Sequence, residues 1–164
     1  MNVSRRNLLR KAWEASTALL GGAAIWTSWE MLRPLRDANA GGVMKVGNPA
    51  DYKLGTATYV REGRFWIVNA EGHLRALSQK CSHLGCGVPF CESSGFFECP
   101  CHGSKFNIGG EWITGPAPRG MDQHPLAIVG HDLTVDTSTK TPGPDHGSAK
   151  FSSKSLGPSC EGGQ

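Results

Sequence analysis

With 164 residues the chain has room for one modest domain plus appendages, because burying a useful core takes about 100 residues. Its 17 basic and 14 acidic side chains leave a net charge of +3, concentrated at the amino end, which excludes a nucleic-acid footprint on the body. Twenty-two glycines, ten prolines and short aliphatic runs exclude a helical bundle and favour an all-β, turn-rich fold, while six cysteines, five of them between Cys81 and Cys101, require a cofactor, disulfides or both.

In chain order, residues 1–11 carry Ser4-Arg5-Arg6-Asn7-Leu8-Leu9-Arg10-Lys11, followed by an Ala, Gly, Leu and Trp stretch. This resembles a twin-arginine (Tat) signal, which exports proteins already folded around a cofactor. Between Glu14 and Glu30 the apolar run offers only about 22 Å of helix against a hydrocarbon core of roughly 30 Å. Extended over 12–32 it nearly spans a bilayer, with Trp13, Trp26 and Trp29 near the interfaces, so the reading is one N-terminal transmembrane helix acting as a single-pass anchor. Arg5, Arg6, Arg10 and Lys11 outweigh Arg33 and Arg36, leaving the N-terminus cytoplasmic and the head on the periplasmic or extracytoplasmic side of the cell membrane. Ala38-Asn39-Ala40 has the small-x-small form of a signal-peptidase site, so cleavage after Ala40 stays open beside retention. Residues 33–44, small and polar from Asp37 to Val43, read as a hinge linker.

The head is predicted over 45–136. Thr56 to Arg61, Arg64 to Val68 and His73 to Ser78 alternate with the turn signals Glu62-Gly63 and Asn69 to Gly72, which predicts a three-strand antiparallel meander. Beyond the cysteines, Glu111 to Thr114, Pro125 to Val129 and Leu133 to Asp136 supply further strands around a Gly130-His131-Asp132 turn. Residues 137–164 are rich in Ser, Thr, Gly, Pro and Lys with only Phe151 and Leu156 as large apolar residues, and read as a disordered tail.

Two boxes carry the chemistry: Cys81-Ser82-His83-Leu84-Gly85-Cys86 and Cys99-Pro100-Cys101-His102-Gly103-Ser104. Together they resemble the Rieske 2Fe-2S family, of the cytochrome bc/bf (quinol:cytochrome c oxidoreductase) type, with its CxHxxC and CxCHxS pattern. The resemblance implies a Rieske-type antiparallel head with a two-loop cluster-binding subdomain. It also implies Cys81, His83, Cys99 and His102 as ligands of a 2Fe-2S cluster and a Cys86–Cys101 disulfide. The chemistry of the donors agrees, because two thiolates and two neutral imidazoles suit a cluster with unlike irons and raise its potential to roughly −150 to +300 mV. A second ring nitrogen on each imidazole links electron uptake to proton uptake. A two-cysteine, two-histidine zinc site is the alternative, which leaves the extra cysteine in each box unexplained.

Further positions follow from the same resemblance. Ser104 matches a serine that donates to a cluster sulfur. Phe106 stands where many high-potential members carry a tyrosine that donates to a ligand sulfur, which implies a lowered potential suited to menaquinol more than ubiquinol. Gly115-Pro116-Ala117-Pro118 resembles the loop that covers the cluster, and Leu84 and Gly103 form an apolar rim beside the ligand histidines. Cys91 and Cys160 fall outside the pattern, and two readings stand: separate thiols, or a second disulfide tying the tail across the domain. His73, His124, His131 and His146 carry no motif.

The function implied is the electron-transfer subunit of a bc/bf-type complex, passing electrons from quinol at a cytochrome b subunit to a c-type cytochrome. His102 and His83 would serve as the groups that meet quinol, and the subunit has no independent activity. The alternative is the Rieske small subunit of an exported molybdenum oxidase of the arsenite oxidase kind. A soluble ferredoxin of ring-hydroxylating oxygenases lacks the export signal and the extra cysteine pair.

Overall fold

The computed structural model of the protein describes residues 4–33 and 41–160. Most of the 33–44 hinge and the Ala38-Asn39-Ala40 site lie outside the described residues. The chain divides into two units, residues 1–38 and 39–164.

The first unit is a helix, α1 (Arg5–Leu32), 28 residues long and therefore about 42 Å. Ser4 stands at its N-cap in extended conformation and Arg10 pairs with Glu14 one turn on, at 3.2 Å. The anchor expected over 12–32 gains the helix but not the apolarity. No helix among the described residues is long and apolar enough to cross a membrane. Ser16, Thr17, Gly21, Gly22, Thr27 and Ser28 occupy positions that a spanning helix gives to Leu, Ile or Val, so length alone overstated the span.

The second unit is built from three antiparallel sheets. The predicted meander is β2 (Ala57–Val60), β3 (Phe65–Ala70) and β4 (His73–Ser78), extended by β9 (Gln123–His124). A two-residue turn joins β3 to β4, with Glu71 and Gly72 both at positive φ (51° and 91°), the form whose twist suits a hairpin. Both faces of β3 are covered. Phe65 and Ile67 enter a core with Tyr52, Ala76, Leu133 and Val135, whereas Trp66 and Val68 pack with Leu77, Val88, Phe97, Phe106 and Met121. Period-two alternation on one strand thus separates two cores.

The first core is closed by a sheet of β1 (Val43–Lys45), β11 (Asp132–Asp136) and β10 (Leu126–Val129). Val43 pairs with Asp136 and Met44 with Val135, so the head begins two residues before position 45. The second core is capped by short strands β5 (Phe90–Cys91), β6 (Phe96–Glu98), β7 (Lys105–Phe106) and β8 (Trp112–Thr114), of which only β8 was predicted.

Residues 137–160, expected to lack order, lie along the head. Phe151 is buried, with the Arg75 guanidinium 4.4 Å over its ring. Two buried carboxylates take up the strap's backbone. Glu111 Oε2 accepts from the Lys150 and Phe151 amides at 2.9 and 3.0 Å, and Glu98 Oε2 accepts from the Cys160 amide at 2.9 Å. A Cys91–Cys160 disulfide closes the end, across 69 residues of sequence. The composition misled because few apolar residues suffice when buried acceptors and a covalent bond order the rest.

Two variants measure the strap. Phe151→Ala should lower stability by about 2 kcal/mol, below the ~3–5 typical of a central phenylalanine because the ring lies at the edge of the head. It should also speed trypsin cleavage after Lys150 and Lys154; an unchanged urea midpoint with unchanged cleavage would contradict the packing. Cys160→Ser should lose up to about 4 kcal/mol on the loop-entropy account, read as a shifted urea midpoint with and without reductant.

Candidate metal centre

The strands deliver two similar loops. The chain leaves β4 at Ser78 and enters the first box, and it leaves β6 at Glu98 and enters the second directly. In each loop the first cysteine donates its amide five residues ahead, Cys81 to the Cys86 carbonyl and Cys99 to the Ser104 carbonyl, both at 2.8 Å. A glycine four residues on donates back, Gly85 to the Cys81 carbonyl at 2.9 Å and Gly103 to the Cys99 carbonyl at 3.0 Å. Both glycines lie at positive φ, 80° and 68°, which is why the turn can close this tightly.

The closures turn the thiols inward. Cys81 and Cys99 are buried, and they are the free cysteines among the described residues. Burial pushes the Cys81 thiol up, the neighbouring Cys99 adds to the rise, and the His83 amide and Ser104 hydroxyl oppose it. The imidazoles face the other way: His83 is half-buried and His102 exposed, with ring centres 4.9 Å apart and edge-to-face. Cys86 and Cys101 are joined by a disulfide, the pairing the resemblance implied.

A third loop braces both boxes. The Ser82 hydroxyl of the first box donates to the Arg119 carbonyl at 2.6 Å, and the Ala117 amide donates to Ser104 Oγ of the second at 3.1 Å. Gly115 lies flush on the second box, where a Cβ would stand 2.5 Å from Ser104 Cα. Phe106 is fully buried in the core that also contains Cys81 and Cys99.

Two other sulfur clusters are not ligand sets. Cys86, Cys99 and Cys101 have their sulfurs within 4.8 Å of one another, but two are spent in the disulfide. Cys91 and Cys160 beside Glu98 are likewise bonded to each other. The remaining donors, two buried thiols with two imidazoles on their outer side, fit a 2Fe-2S cluster. Sequence reasoning named these residues as donors and missed the braces. Ser82, Glu98, Glu111 and His146 contact backbone far along the chain, and only the two glutamates, Glu98 among apolar strand residues and Glu111 at the start of a predicted strand, could have signalled them.

The sequence matches the Rieske 2Fe-2S domain over residues 42–127. It is 30% identical over 141 residues to the cytochrome b6-f complex iron-sulfur subunit of Chlorobaculum tepidum, covering 82% of this chain and 76% of the relative. It is 27% identical over 157 residues to cytochrome b6-f complex iron-sulfur subunit 3 of Nostoc sp. strain PCC 7120, covering 85% and 88%. Among solved structures it is similar to the cyanobacterial plasma membrane Rieske protein PetC3 from Synechocystis PCC 6803, at 30% identity and TM-score 0.46, over 57% of this chain and 98% of that one. The chain therefore belongs to the Rieske family, in its cytochrome bc/bf type, and carries a 2Fe-2S cluster.

Proposed function

We propose that Cys81, His83, Cys99 and His102 hold the cluster, and that the chain oxidises quinol within a bc/bf-type complex and passes electrons to a c-type cytochrome. The observation that carries this reading is the division of the donors, with both thiols buried and the imidazole side exposed. When bound, the cluster supplies a one-electron acceptor of raised potential. His102, on the outer side, accepts a hydrogen bond from a quinol hydroxyl through its second ring nitrogen and takes the proton as the electron leaves. Leu84, 70% exposed, and Gly103, each following one of the two histidines, give that edge an apolar rim that excludes water and suits docking against a cytochrome b subunit. Relatives named as b6-f iron-sulfur subunits support these partners over a molybdenum oxidase.

Ser104 supports the reduced, more negative state by donating to a cluster sulfur. Phe106 has no hydroxyl to do the same, so the reading includes a lowered potential and menaquinol as substrate. Export by the twin-arginine segment and attachment through residues 12–32 complete the proposal. A helix that falls short of spanning alone is retained when neighbouring helices of a complex pack against its small residues, here Gly21, Gly22, Ala23 and Ala24.

Electron paramagnetic resonance of reduced membranes should give a Rieske signal that a quinol-site inhibitor shifts, and a cytochrome b should copurify. A signal indifferent to the inhibitor, with no cytochrome b, would overturn the assignment. Phe106→Tyr should raise the midpoint potential by tens of millivolts, since a hydrogen bond is worth about 1 kcal/mol between redox states. An unchanged midpoint would remove Phe106 as the cause.

A further inference from the structure

We infer that His146, a strap residue outside both boxes, is a positioning residue for the metal centre: it pins the proline loop whose Ala117 amide holds the Ser104 hydroxyl oxygen. The inference rests on the proposed cluster ligands and on Ser104 as a donor to a cluster sulfur.

The loop 115–118 cannot hold itself. Pro116 and Pro118 have no amide hydrogen, so its shape depends on donors supplied from elsewhere. Two aromatic side chains supply them. Trp112 Nε1 donates to the Gly115 carbonyl at 3.1 Å, and His146 Nε2 lies 2.9 Å from the Ala117 carbonyl. A carbonyl oxygen only accepts, so His146 carries its hydrogen on Nε2. The two rings stack on each other, 3.8 Å between centres and 21° from parallel, which makes them one clamp.

Ala117 is held from both sides. Its carbonyl meets His146, and its amide donates to Ser104 Oγ at 3.1 Å. With a lone pair of that oxygen occupied by the Ala117 amide, the single hydroxyl hydrogen stays available for a cluster sulfur, the role the resemblance gives Ser104. A displaced Ala117 would free the hydroxyl to rotate.

The strap fixes His146 independently of the cluster. The Gly120 amide donates to the Pro144 carbonyl at 2.8 Å, the Gly143 amide donates to Asp122 Oδ1 at 3.2 Å, and the Arg119 and Asp145 backbones pair antiparallel. A Cβ on Gly143 would come within 2.4 Å of the Gly120 backbone, so the two segments lie flush. The imidazole is thus delivered to the loop by backbone pairing rather than by its own ring alone.

The test uses the full-length protein with its cluster and reads the midpoint potential by titration with a chemical reductant, with cluster content from electron paramagnetic resonance. His146→Phe keeps a ring against Trp112 and removes the donor. It should lower the equilibrium constant for one-electron reduction about threefold, a downward shift of about 28 mV at 59 mV per tenfold. His146→Gln, which keeps a donor, should recover most of that shift. In a Ser104→Ala background the effect of His146→Phe should largely vanish, because the two act through one hydrogen bond. A His146→Phe midpoint equal to that of the unaltered protein overturns the inference, as does an undiminished shift in the Ser104→Ala background. If His146→Phe does not load a cluster, His146→Met replaces it under the same criteria. Absence of a Rieske signal from the unaltered chain would instead overturn the ligand assignment.

Discussion

The head depends on keeping two loops face to face although neither has a core of its own. Each loop uses its main-chain hydrogen bonds internally, Cys81 to Cys86 and Cys99 to Ser104, and is locally rigid for that reason. Rigidity within a loop does not fix its distance from the other. The ties that do are the Cys86–Cys101 disulfide and the third loop, which receives Ser82 from one box and grips Ser104 of the other. A metal centre assembled from both loops inherits its geometry from these ties. A cluster's ligands need such outer support to keep their orientation.

The C-terminal strap extends the same logic to the back of the second loop. Glu98 directly precedes Cys99, and Glu111 directly precedes Trp112 of the clamp. Both carboxylates are buried, where an ionised group is tolerated only if its oxygens are hydrogen-bonded. Glu98 accepts from Ser94, Ser159 and the Cys160 amide, and Lys105 lies 3.4 Å away. Glu111 accepts from Asn107 and two strap amides. Because the strap satisfies part of each set, removing it would strand buried charge beside the second box. The strap is therefore part of the domain.

How much of this was legible follows from the range over which each signal acts. The two boxes were readable because ligand types and spacings are local, and the Glu71-Gly72 hairpin because a turn is local. Strands β5 and β7 have two residues each, too few to show any alternation, and β1 was hidden in a stretch whose glycines read as linker. The strap was misread because its order comes from Glu98, Glu111 and Cys91, all remote in sequence, while its own composition is polar. For α1 the error ran the other way. Its continuity was legible, but small and hydroxylated residues kept its apolarity below that of a span.

One bond joins the mechanical and electronic sides of the centre. Ser104 belongs to the second box, and its hydroxyl oxygen is held by the third loop through the Ala117 amide. On the proposed role of Ser104 as a donor to a cluster sulfur, a change in how the loops dock changes that hydrogen bond, and with it the relative stability of oxidised and reduced states. Phe106 sits two residues further on, at the position from which a second hydroxyl would act, and contributes only packing. On the proposed reading, the potential leans more heavily on Ser104 than it would in a chain with both donors. The braces on Ser104 then bear on electron transfer as well as on stability: the Ala117 amide directly, and Trp112 and the strap through the loop that holds it.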